Sequence, residues 1–263
     1  MAHAQLPVIR RRFGESMRRD RWWVQPAIVF VILTSFIVYA TWAAFQGDHY
    51  TYGPYLSPFY SPELFGSSPH ALFGPKPEWW PAALPFSPAL LILWAPGGFR
   101  FTCYYYRGAY YKAFAMTPPS CAVGGGPRRY QGERALLLFQ NLHRYTLYGA
   151  LFLLVCLWWE GFSAFFRHGR FGIGVGTVIM IVNAGLLTAY ALGCHSWRHL
   201  IGGRLDCFSC PGALSPAYSL WKGSSWLNQR HMAFAWSSLV WVAFTDLYIY
   251  LLSTGRFRDL NTW

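Results

Sequence analysis

Residues 26–45 read Pro26-Ala-Ile-Val-Phe-Val-Ile-Leu-Thr-Ser-Phe-Ile-Val-Tyr-Ala-Thr-Trp-Ala-Ala-Phe45, twenty positions without a charge. At a rise of about 1.5 Å per residue this run matches the hydrocarbon thickness of a bilayer, about 30 Å. It is too long for a signal-peptide core and lacks a small-residue cleavage pattern, so it is read as a retained span. Four more apolar segments follow: about 85–111, 135–166, 172–201 and 231–252. Only 12% of the 263 residues are charged and 54% are hydrophobic, too few charges to cover a soluble surface. The sequence therefore predicts an all-α integral membrane protein with five transmembrane helices. Disorder and a small disulfide scaffold are excluded by apolar content and by length.

A net charge of +12 suggests nucleic acid in a soluble chain, but here it reads as topology. Seventeen of the 22 Lys and Arg fall in the leader to Gln25 and around the connections 100–144 and 198–230. Five fall on the other side: Lys76, Arg167, Arg170, Arg256 and Arg258. The positive-inside rule then puts the N-terminus in the cytoplasm and the C-terminus outside. The expected organisation is a basic leader 1–25, a first span 26–46, an outer aromatic and Pro-rich loop 47–84, a four-helix bundle 85–255 and an outer tail 256–263. Glu160 and Asp246 are expected at the outer interface. Gly172, Gly174 and Gly176 are expected to allow close helix packing.

The polar residues inside the apolar segments carry the chemistry. Cys103, His143, Cys194 and His231 sit on four different segments. Counted from the cytoplasmic helix ends they lie about 11, nine, eight and seven residues deep, roughly 10–16 Å at helical rise. Two Cys and two His in one layer of a bundle fit several groups. Zinc takes Cys₂His₂. A Rieske-type [2Fe–2S] centre takes two Cys on one iron and two His on the other. Haem b would use His143 and His231 as axial ligands. Buried cysteines can also act as small hydrophobes, and histidines as interhelical hydrogen bonders. A local alternative is Cys194, His195, His199, Cys207 and Cys210, in which Cys207 and Cys210 form a CxxC. Thiols on this side are expected to be reduced.

The stretches FRFTCYYYRGAYYKAF, PPSCAV, QNLHRYTLYGALF, GCHSWRHLIGGRLD and LNQRHMAFAW, in order over about 90–255, resemble the single-chain, five-helix membrane anchor of actinobacterial-type succinate dehydrogenases. The resemblance implies a flavoprotein subunit that oxidises succinate, an iron–sulfur subunit that relays electrons, both cytoplasmic, and quinone reduction at the plasma membrane. Relatives with five helices bind two haems through four histidines. This chain has Cys103 and Cys194 where such histidines are sought. Zinc has no redox chemistry, so within the family the Rieske-type centre leads and haem b is the alternative. The quinone, menaquinone or ubiquinone, is expected near Arg107, His195 and His199 with Trp226 as a stacking wall, because a quinone carbonyl needs a donor and its reduced form needs protons. A transporter or scaffold without redox chemistry is the reading from another class; its mark would be inverted repeats, and none is visible.

Overall fold

The computed structural model describes residues 12–126, 136–203, 207 and 216–263. Among the described residues, four helices are long and apolar enough to cross a membrane: α1 (Val24–Gln46), α5 (Leu136–Ser163), α6 (Val175–Leu192) and α9 (His231–Ser253). The expected second span is instead three short helices, α2 (Ala89–Ile92), α3 (Trp94–Thr102) and α4 (Tyr104–Ala113). Two more short helices, α7 (His195–Gly202) and α8 (Pro216–Gln229), lie between α6 and α9. Strand β1 (Thr51–Tyr52) pairs antiparallel with β2 (Tyr55–Leu56), and β3 (Phe166–Arg167) with β4 (Arg170–Phe171). Helix α3 packs on α5, α6 packs on both α5 and α9, and α1 touches α2, α4 and α9 from outside.

Three helix breaks correct the expectation of continuous spans. At Thr102 the side-chain hydroxyl donates back to the Gly98 carbonyl at 2.7 Å, and Cys103 N–H reaches Arg100 O at 3.2 Å, tightening the last turn. Cys103 is then extended (φ −61°, ψ 127°), and its carbonyl accepts Arg107 N–H at 2.9 Å to start α4. Helix α6 ends at Leu192–Gly193, where two side chains of α8 satisfy its terminal carbonyls. Ser224 Oγ donates to Leu192 O and Asn228 Nδ2 to Gly193 O, both at 2.7 Å. A Cβ on Gly193 would stand 3.2 Å from the backbone and Cβ of Leu227 on α8, tighter than an ordinary contact, so glycine lets α8 dock this closely. The third break is Arg230 (φ −110°, ψ 13°), which puts His231 at the start of α9.

At the opposite end the connection after α1 is core. Gly47 ends α1 in the left-handed conformation (φ 66°), and Tyr55, Leu56, Tyr60 and Glu63 are almost fully buried. Asp246 is not interfacial: it is 5% exposed, accepts from Tyr39 Oη of α1 at 2.5 Å and from Ser57 Oγ, and so ties three elements together. The glycines Gly172, Gly174 and Gly176 make room for Tyr55 and Trp263 rather than for a neighbouring helix. Here the tail closes back on α6. Asp259 accepts from Tyr55 Oη (2.6 Å), Tyr248 Oη (2.7 Å) and Gly176 N–H (3.1 Å) at the helix N-terminus. Asp259→Ala strands two phenols and removes the carboxylate from that terminus. A loss of about 3 kcal/mol is expected in detergent unfolding, with a drop in the melting temperature as the measurement.

His70 of the connection between α1 and α2 meets Glu160 near the end of α5, Nδ1 to Oε2 at 3.2 Å. This hydrogen bond raises the His70 pKa above its ordinary value, outweighing burial. The tie therefore stabilises fully below about pH 6.5, the unfolded value, and is lost as pH rises through the raised folded value. Hydrogen-exchange protection factors across residues 63–73, corrected for the intrinsic base-catalysed rate, should fall over that rise in the wild type and stay flat in His70→Gln.

Candidate functional site

The breaks bring the chemistry-bearing residues together. Cys103 is the joint of α3 and α4, Cys194 the joint of α6 and α7, and His231 the first residue of α9. Only His143 lies inside a continuous helix, α5. The layer is thus built from three helix junctions and one position within α5, not at matching depths along unbroken helices. All four residues are hydrogen-bonding neighbours in two pairs. His143 Nε2 lies 3.0 Å from Cys194 Sγ, and His231 Nε2 lies 3.9 Å from Cys103 Sγ. Cys103 and Cys194 are within electrostatic range of each other, as are His143 and His231.

The tautomer of His143 follows from its neighbours. The Thr102 hydroxyl already donates to Gly98 O, so at 3.0 Å from Nδ1 it accepts the ring N–H. The Nε2 lone pair is then left facing the sulfur. His231 also turns Nε2 toward a sulfur, and its buried Nδ1 has no hydrogen-bond partner. A buried ring nitrogen without a partner is costly unless something else binds it. Among the described residues, no three His, Cys, Asp or Glu side chains are already gathered as a closed metal site. The donors stand as two adjacent His–Cys pairs. Their chemistry, two soft sulfurs and two imidazoles, fits a mixed-ligand iron–sulfur group.

Each imidazole is covered on one face by an aromatic ring. Phe99 stacks on His143 (centroids 4.5 Å apart, 5°) and Tyr190 on His231 (5.0 Å, 15°). The same two residues, with Arg100 and Tyr106, wall a cavity of about 710 Å³. It lies between α1, represented by Leu33, Ile37 and Ala40, and the faces of α3, α5, α6 and α9. The lining is almost wholly apolar, and its polar end is the one beside the imidazoles. Sequence reasoning missed this cavity, since it exists because α1 stands off the bundle.

The quinone residues expected from the sequence fall on different surfaces. Arg107 is 6% exposed in α4, between the rings of Tyr104 and Phe139 and within electrostatic range of His143. His195 and His199 are exposed on α7. Trp226 is 54% exposed on α8, with the Arg230 guanidinium 4.2 Å from its ring centroid. None of these four lines the cavity. Cys103, Cys121, Cys156 and Cys194 are free. Cys207 is disulfide-bonded, contrary to the expected reduced thiol, which removes it from the local five-residue alternative. Cys210 lies outside the described residues.

Residues 24–255 match the family model described as actinobacterial succinate dehydrogenase subunit SdhC. No curated protein matches the chain. A chain of the structure titled "Mycobacterium smegmatis Sdh1 complex in the apo form" is 38% identical, with a TM-score of 0.84, over 98% of this chain and 97% of that one. Junction cysteines, paired imidazoles and apolar spans therefore sit in a chain that belongs to the actinobacterial succinate dehydrogenase SdhC family.

Proposed function

We propose that this chain passes electrons from a succinate-oxidising complex to quinone within the membrane. A flavoprotein subunit removes the electrons from succinate, and an iron–sulfur subunit delivers them to this anchor. The observation that carries the reading is the paired geometry: each imidazole has a sulfur at one edge and, on its face, a ring that also walls the apolar cavity. Cys103 and Cys194 would hold one iron and His143 and His231 the other. Bound there, a Rieske-type [2Fe–2S] group supplies a one-electron store at about −150 to +300 mV, against about −400 mV for all-thiolate plant-type centres. The haem b alternative, through His143 and His231, is disfavoured by the sulfur that each Nε2 faces.

The chain's own residues do the rest. Thr102 fixes the His143 tautomer so that Nε2 is free to bind. Phe99 and Tyr190 exclude water from the imidazole faces. The cavity takes the quinone, its apolar walls holding the isoprenoid tail and the end beside the imidazoles, walled by Phe99 and Tyr190, meeting the head. We place the head there in preference to the face of His195, His199 and Trp226. His195 and His199, exposed next to the Cys194 junction, are suited to carry protons toward the reduced quinone. In this reading α2–α4 make a fifth, broken traverse. The lysine and arginine bias orients the N-terminus and the partner subunits to the cytoplasm of a plasma membrane and the C-terminus outside.

Iron and acid-labile sulfide analysis tests the centre. The complex purified in mild detergent should carry two irons and two sulfides beyond those of its iron–sulfur subunit. Equal contents would refute the cluster, and an added haem band would restore the haem alternative.

A further inference from the structure

Arg100 sits in the last turn of α3, three residues before Cys103, partly buried at the wall of the cavity. Its Nη1 donates to Tyr106 Oη at 2.7 Å and to Ala235 O at 3.3 Å, and its Nη2 donates to Ser238 Oγ at 2.9 Å. Its Cζ lies 4.6 Å from the centroid of Tyr190, the ring stacked on His231. Ala235 and Ser238 belong to the first two turns of α9, so this guanidinium lies inside a membrane-crossing layer.

Each of these partners is neutral. The described residues contain three ion pairs, on Arg18, His49 and His70, and none on Arg100. A cation at membrane depth held only by hydroxyls, a carbonyl and aromatic faces is expensive, and it is kept where a negative charge offsets it. His231, one of the residues that would hold the centre, lies across a single ring from Arg100, since Tyr190 stacks on the imidazole and also faces the guanidinium. Iron held there would bind Cys103 and Cys194 as thiolates, and an electron stored on it would add one more negative charge. In a low-dielectric layer that charge interacts strongly with a fixed cation. Tyr106, Ser238 and Ala235 hold the guanidinium in place, so it need not reorganise when the electron comes.

We propose that Arg100 is the fixed counter-charge of the buried redox centre and sets its reduction potential. The proposal rests on the reading of Cys103, His143, Cys194 and His231 as ligands. The step is a one-electron reduction of the centre by the partner iron–sulfur subunit. No proton moves, and Arg100 stays charged throughout.

The test is a redox titration of the purified complex, followed by electron paramagnetic resonance, for wild type, Arg100→Met and Arg100→Lys. Arg100→Met should keep the signal but make reduction at least about tenfold less favourable, a shift of about 59 mV to more negative potential for one electron. Arg100→Lys should recover most of that shift, because it keeps the charge. If Arg100→Met fails to assemble, Ser238→Ala keeps the charge and loosens its hold, and a smaller negative shift is expected. A retained signal with unmoved potential, or a change confined to the KM for quinone, overturns the counter-charge and makes Arg100 a quinone contact. Absence of any extra signal from the wild-type complex overturns the ligand reading before Arg100 is touched.

Discussion

Replacing His143 and His231 together by alanine should abolish quinone reduction by the assembled complex. Succinate oxidation measured with a soluble artificial dye should stay near the wild-type rate. The split follows from position. The two histidines are far from any succinate chemistry, which belongs to the partner flavoprotein, but both lie on the proposed path to the cavity. His143 is 7% exposed and makes one contact to a hydroxyl and one to a sulfur. Its removal deletes a ring stacked on Phe99, a local packing loss of about 1–3 kcal/mol. That is small beside the loss of two of four ligands. Equal loss of both activities, with the subunits still co-purifying, would contradict the ligand assignment.

Filling the cavity should have the next largest effect. Gly97 lies on α3 at the cavity wall, with no atom within 4 Å of where a Cβ would stand. Gly97→Phe therefore adds a ring at the cavity wall with no clash at its Cβ. It also improves helix propensity by about 0.5 kcal/mol. The substitution separates occupancy from folding. Quinone reduction should fall at least about tenfold, through a raised KM or a lost kcat, while melting temperature and dye-coupled succinate oxidation hold. Unchanged quinone kinetics would move the quinone out of this cavity, toward the face of His195, His199 and Trp226.

The chain states some of this structure in its residues and hides the rest for physical reasons. Four charge-poor apolar runs became α1, α5, α6 and α9, because in lipid an apolar run of sufficient length must satisfy its backbone internally. Cys103, His143, Cys194 and His231 stood out because polar or thiol side chains within apolar runs are few. The breaks that gather them were not legible. Cys103 has no proline or glycine beside it, and its helix ends through a Thr102 back-bond and 3₁₀ tightening. The end of α6 is held by Ser224 and Asn228, more than thirty residues downstream. Asp246 looked interfacial because Ser57 and Tyr39, which bury it, are 189 and 207 positions away. The cavity is further still from sequence: α1 meets the bundle through residues such as Tyr39 in its C-terminal half and Phe30 against Phe114 in its N-terminal half, leaving space behind its middle.

The central claim is that Cys103, Cys194 and His231 at helix junctions, with His143 inside α5, hold a one-electron centre beside an apolar cavity. Low-temperature electron paramagnetic resonance of the dithionite-reduced complex, compared with the isolated soluble partner subunits, tests it most directly. The account predicts an additional mixed-ligand [2Fe–2S] signal, absent from the soluble partners and lost in the His143→Ala, His231→Ala complex. A haem absorption band with no additional cluster signal would contradict it.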